Sequence, residues 1–130
     1  MPAPDPFNRK CATRVVLDRV GDKWAVLILI LLHDEAHRFN ELRRRIDGIS
    51  QKMLSQTLRS LERDGLVHRH VEATVPVTVE YSITPLGKTL YAAVDALRVW
   101  AETHLKDVET AQKRYDRTNE KPARPLRKAA

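Results

Sequence analysis

Ser50 to Gly65 reads S-Q-K-M-L-S-Q-T-L-R-S-L-E-R-D-G, and both of its ends carry helix signals. The Ser50 hydroxyl suits an N-cap, where it accepts an orphan backbone N–H of the first turn. Gly65 suits the position just past a C-terminus, where the backbone turns left-handed. Between them Leu54, Leu58 and Leu61 recur on one side at helical spacing. Lys52, Ser55, Gln56, Arg59 and Arg63 share the other side. Long donors with few acids are what a helix needs to lie against phosphates and base edges in a DNA major groove.

The flanks extend the pattern. Phe39 to Ile46 (F-N-E-L-R-R-R-I) predicts a short helix capped by Asn40, with Leu42 and Ile46 inward, and Asp47-Gly48 predicts a turn. Two short helices joined by a tight Gly turn form a helix-turn-helix whose second helix is the reader. Downstream, residues 66–73 and 77–84 are rich in Val and alternate apolar with polar. Pro76 lies between them, where no ladder N–H is needed. The expected fold class is therefore mainly α with a small β-hairpin wing, a winged helix-turn-helix with dimerising terminal helices.

The 130 residues, 42% hydrophobic and 31% charged, fit one small globular domain. Net charge is +6 and the pI about 9.8. From Arg38 to His70 there are eight Lys/Arg and four acids, an excess of +4 in the helix-turn-helix quarter. The start M-P-A-P-D-P lacks the basic-then-apolar order of a signal peptide. The apolar run from Trp24 to Leu32 is far shorter than the roughly 20 residues that span a bilayer, so no membrane partner is expected. One cysteine permits no intrachain disulfide, which fits a reducing cytoplasm. No phosphate loop, metal set or base beside Cys11 marks an enzyme, and no cofactor is expected. His68 and His70 share a strand face without further ligands, so no metal is expected either.

The chain divides into a flexible arm (1–10), a DNA-binding and dimerisation domain (11–115) and a disordered basic tail (116–130). Helix one is predicted over Cys11 to Val20, with Val16, Leu17 and Val20 inward and Arg14, Asp18 and Arg19 outward. Asp22 caps a second helix over Trp24 to Leu32, apolar nearly all round and so central to the core. His33 to Arg38 is a connector, with His33 and His37 at the surface and a short strand near Arg38. Thr84-Pro85 opens a last helix that runs to about Tyr115, with Gly87 a modest cost. Its apolar stripe is longer than a small domain can cover. A homodimer is expected through Leu90, Val94, Leu97, Ala101 and Leu105, joined by helix one. Trp24 and Trp100 read as core or interface anchors. An apolar pocket between helix one and the last helix is a candidate site for a small-molecule effector.

The runs C-A-T-R-V-V-L-D-R-V-G-D-K-W, H-R-F-N-E-L-R-R-R-I-D-G-I-S-Q-K-M-L-S-Q-T-L-R-S-L-E-R-D-G-L-V and V-P-V-T-V-E-Y-S-I-T-P-L-G together resemble the HxlR-type transcriptional regulators, relatives of the MarR-type winged-helix proteins. The resemblance covers about Cys11 to Trp100. It implies a dimeric, mostly helical DNA-binding protein that represses or activates a neighbouring operon. Two departures stand out: Ala12 where proline often follows the cysteine, and Asp22 where a second glycine is common. Several members of that family use a cysteine at this place to sense oxidants, quinones or aldehydes.

The expected partner is double-stranded DNA carrying a palindromic operator, its half-sites about one helical turn apart. Arg43, Arg44 and Arg45, with Arg69 and His70 of the wing, are candidates to replace counterions at phosphates. Gln51 and Gln56 suit adenine, Lys52 and Arg59 suit guanine, and Ser50 and Ser55 complete the face. The functional reading is a sequence-specific regulator, a repressor in the first instance. The rivals are control by a small molecule and a non-specific architectural DNA binder. Cys11 has two readings. Nearby Arg9, Lys10 and Arg14 and a helix N-terminus favour a reactive thiolate, while burial would make it an inert small apolar residue.

Overall fold

The computed structural model describes residues 3, 5–8, 10 and 12–119. The order is α1 (Ala12–Val20), α2 (Lys23–Asp34), β1 (His37–Arg38), α3 (Phe39–Arg45), α4 (Gln51–Arg63), β2 (Val67–Glu72), β3 (Thr78–Ile83) and α5 (Pro85–Asn119). The chain forms two compact units, residues 1–95 and 96–130.

Local chemistry sets most boundaries in the first unit. Asp22 caps α2 by accepting the backbone N–H of Trp24 at 2.9 Å and of Ala25 at 3.4 Å. Helix α2 contributes Ala25, Ile28, Leu29 and Leu32 to the core. Leu42, Ile46 and Ile49 meet them, with Leu54, Leu58 and Leu61 of α4 and Leu66, Val67 and Tyr81 of the sheet. Asp47-Gly48 is a turn, with Gly48 at φ +88. The sheet has the order β1-β3-β2, antiparallel throughout. Strand β1 pairs His37 with Tyr81, and the hairpin pairs Val67 with Ile83 through to Glu72 with Thr78.

Several expectations are corrected. Asn40 does not cap α3. Arg38 holds the N-cap position, and its backbone N–H donates to the Glu41 carboxylate at 2.7 Å, which leaves Asn40 inside the first turn. Val16 and Leu17 are exposed rather than inward, with Val16 at the open edge of a groove that α1 forms with α5. Arg19 is not outward. Its Nε donates to Asp64 at 2.5 Å, tying α1 to the C-cap of α4. His33 belongs to the last turn of α2, and its ring stacks on Tyr91 with centroids 3.7 Å apart. Residues 116–119 are helical, because no breaker interrupts them. The other residues of the predicted disordered tail lie outside the described residues.

In the second unit the described residues continue α5 to Asn119. Arg98 bridges Glu102 at 2.9 Å, and the Trp100 and His104 rings lie 4.9 Å apart. Leu97, Trp100, Leu105 and Val108 are exposed along one side.

Candidate DNA-binding surface

The reader helix is held at both ends. Ser50 Oγ accepts the Met53 N–H at 3.0 Å. At the other end Gly65, at φ +78, donates to Glu62 O at 3.0 Å and Leu66 donates to Leu61 O at 2.9 Å. That pair of bonds is the Schellman motif, which satisfies two orphan carbonyls and turns the chain into β2. Ser50→Ala is expected to lower stability by about 1 kcal/mol. Thermal unfolding reads this as a fall in Tm of roughly 4–8 °C, and an unchanged Tm would remove the cap from the account.

With Leu54, Thr57, Leu58 and Leu61 buried, the opposite face of α4 is open. Gln51, Lys52, Gln56, Arg59 and Arg63 are exposed and Ser55 is half-buried. Thr57 spends its hydroxyl on Met53 O at 2.7 Å, so it is structural. Asp64, one of the four acids of this region, is engaged by Arg19. The remaining outward face is thus dominated by donors.

Arg43, Arg44 and Arg45 are all exposed on α3. Arg43 and Arg44 share a shallow concavity of about 300 Å3 with Asn40, and Arg45 does not line it. Arg44 also borders a hollow of about 400 Å3 with Arg38 and the wing residues Val77 to Val79. Arg38 and Asn40 are therefore neighbours of the basic face that the sequence did not single out. Asn40 reads only as a cap and Arg38 as part of the charge excess, and neither reading places a side chain beside the arginines of α3.

The wing separates its two candidate side chains. Arg69 pairs across the ladder with buried Tyr81, on the face that packs against α4. His70 lies on the other face with His68, ring centroids 6.3 Å apart, and its Nε2 is 3.7 Å from Glu72. No group of three or more metal-ligating residues occurs among the described residues. Cys11 lies outside the described residues.

Thr84 is a further residue that the sequence reading placed only as a helix start. Its Oγ1 donates to Gly65 O at 2.7 Å and accepts the Gly87 N–H at 2.9 Å, and its N–H donates to Leu66 O at 3.1 Å. The end of the reader helix, the return of the hairpin and the start of α5 are joined at this one side chain.

A helix-turn-helix with an open donor face, followed by a β-hairpin wing whose sheet is completed by the preceding strand β1, defines a winged-helix DNA-binding protein. The chain belongs to the HxlR-like helix-turn-helix family, whose model matches residues 19–109. It is similar to the uncharacterized HTH-type transcriptional regulator YtfH of Escherichia coli, 47% identical over 102 residues, which are 78% of this chain and 81% of that protein. Among solved structures, ytfH of Salmonella typhimurium, titled a transcriptional regulator, matches with a TM-score of 0.80 at 43% identity, covering 85% of this chain and 99% of that one. The redox regulator HypR in its reduced form matches with a TM-score of 0.71 at 41% identity, covering 75% and 97%. Diamide-treated YodB of B. subtilis matches with a TM-score of 0.63 at 34% identity, covering 74% and 96%. The chain is accordingly a transcriptional regulator with a winged helix-turn-helix fold. No helix among the described residues is long and apolar enough to cross a membrane.

Proposed function

We propose that this chain is a cytoplasmic, homodimeric repressor that reads a palindromic operator with α4 and is switched by oxidation or electrophile modification of Cys11. The observation that carries the reading is the open donor face of α4, held between two firm caps. The exposure of Gln51, Lys52 and Gln56 on that face supports base reading, and the concavity shared by Arg43 and Arg44 supports phosphate contact. The apolar side of α5 at Leu97, Ala101 and Leu105 supports a dimer. Leu90 already packs against the core and Val94 is fully buried within the single chain, so both offer a partner little area.

Two structural relatives support the thiol switch, the redox regulator HypR and YodB in its diamide-treated form. In the simplest form two Cys11 thiolates, one from each subunit, give up two electrons to the oxidant and form a disulfide, which respaces the two reader helices. The test is operator binding at fixed salt before and after diamide, with Cys11→Ser beside it. Binding that diamide changes and a reductant restores in the parent, and that Cys11→Ser holds constant, supports the switch. An equal response in Cys11→Ser ends it.

A second reading is favoured by a specific feature. An apolar groove of about 470 Å3 lies between α1 and α5, lined by Val16, Leu66, Leu86, Leu90 and Ala93, with the Arg19–Asp64 pair at its wall. It lies between the same two helices as the candidate effector site of the sequence reading, and a small apolar ligand there would act on the regulator instead of an oxidant.

A further inference from the structure

Arg59 of the reader helix and Arg69 of the wing open into one concavity of about 430 Å3, whose wall is completed by Ser55, Glu62 and Tyr81. Ser55, Arg59 and Glu62 are four and three residues apart, so they line one stripe of α4. Arg69 and Tyr81 are ladder partners on the sheet face turned toward that stripe. Both arginines are exposed, and neither forms an ion pair among the described residues. Two guanidinium forks against one carboxylate leave a net +1 in the concavity. The Ser55 and Tyr81 hydroxyls add donors. This is the chemistry of an oxyanion with several acceptor atoms.

The location selects which oxyanion. The concavity lies between the helix that enters a major groove and the wing beside it, where the intervening DNA backbone must pass. We propose that Arg59 and Arg69 together clamp a single backbone phosphate between reader helix and wing. Arg59 then fixes the register of the helix on the duplex and leaves base reading to Gln51, Lys52 and Gln56, because a fork engaged on phosphate is not free for guanine. Glu62 sits in the same hollow and weakens the clamp. The inference rests on the DNA-binding reading above and deepens it.

The full chain is titrated across a salt series with two duplexes of about 30 base pairs, enough for two half-sites and their flanks. One has random sequence and the other is the operator selected from a randomised pool. R59A and R69A are each expected to weaken both duplexes by the same factor, about tenfold. The double variant is expected to flatten the log–log salt slope by about 2 in total, the release for one phosphate in each half of the proposed dimer. A total near 4 assigns the arginines to separate phosphates and overturns the clamp. A loss confined to the operator in R59A makes Arg59 a base reader and also overturns it. E62Q is expected to tighten both duplexes, and unchanged or weaker binding removes the shared hollow. A parent chain that binds both duplexes equally sinks the sequence-specific reading, while the slope change still decides the clamp.

Discussion

Leu97→Asp is expected to turn the proposed dimer into a monomer without unfolding the chain. Leu97 is 55% exposed in the single chain, so a carboxylate there stays in water when the subunit stands alone. In the proposed dimer the same position is covered. Burying a leucine is worth about 1.5–3 kcal/mol, and an unpaired buried carboxylate costs more than that gain. A twofold interface carries the change twice. The combined loss of roughly 6 kcal/mol raises the dimer dissociation constant by about four orders of magnitude. Operator affinity should fall with it, because a monomer holds one half-site instead of two. Sedimentation velocity with circular dichroism checks both parts. A variant that sediments as a dimer would place the interface elsewhere than on this side of α5.

Gly87→Ala is expected to lower stability by about 3 kcal/mol, the upper end of overpacking costs. The sign is opposite to the usual one, since alanine in a helix normally gains about 1 kcal/mol over glycine. Here an added Cβ would stand 2.2 Å from the Leu66 carbonyl oxygen and 2.7 Å from Ile83 Cγ1. That carbonyl is backbone and already accepts the Thr84 N–H, so it has little freedom to withdraw. The first turn of α5 must move off the sheet, and the Thr84 bonds to Gly65 and Leu66 stretch with it. Scanning calorimetry should record a fall in Tm of roughly 12–24 °C. A Tm equal to or above that of the parent would mean that α5 slides freely at this point.

These two sites also mark where sequence reading stops. The reader helix was legible to its ends because its signals are local: a serine hydroxyl, a leucine period and a glycine that alone tolerates φ +78. The α2 cap at Asp22 and the turn at Gly48 were legible for the same reason. Gly87 looked like a modest helix cost, because its partner Leu66 is supplied by another element. Arg19 looked like a surface charge, since Asp64 lies 45 residues away in sequence. Periodicity told which residues of α1 share a face and not what covers them, so Val16 and Leu17 were expected inward and are exposed. The basic face was visible as composition. The meeting of Arg59 with Arg69 required the fold, because nothing in a strand alternation says which helix it will meet.

The Arg19–Asp64 pair bears on how the protein meets changes in its ionic surroundings. Its side chains are only 24% and 27% exposed, whereas Arg43, Arg44 and Arg45 of α3 stand in open solvent. Mobile ions screen exposed charges strongly and sheltered ones much less. Rising salt would therefore weaken contacts made through those arginines first, while the link between α1 and the reader helix persists.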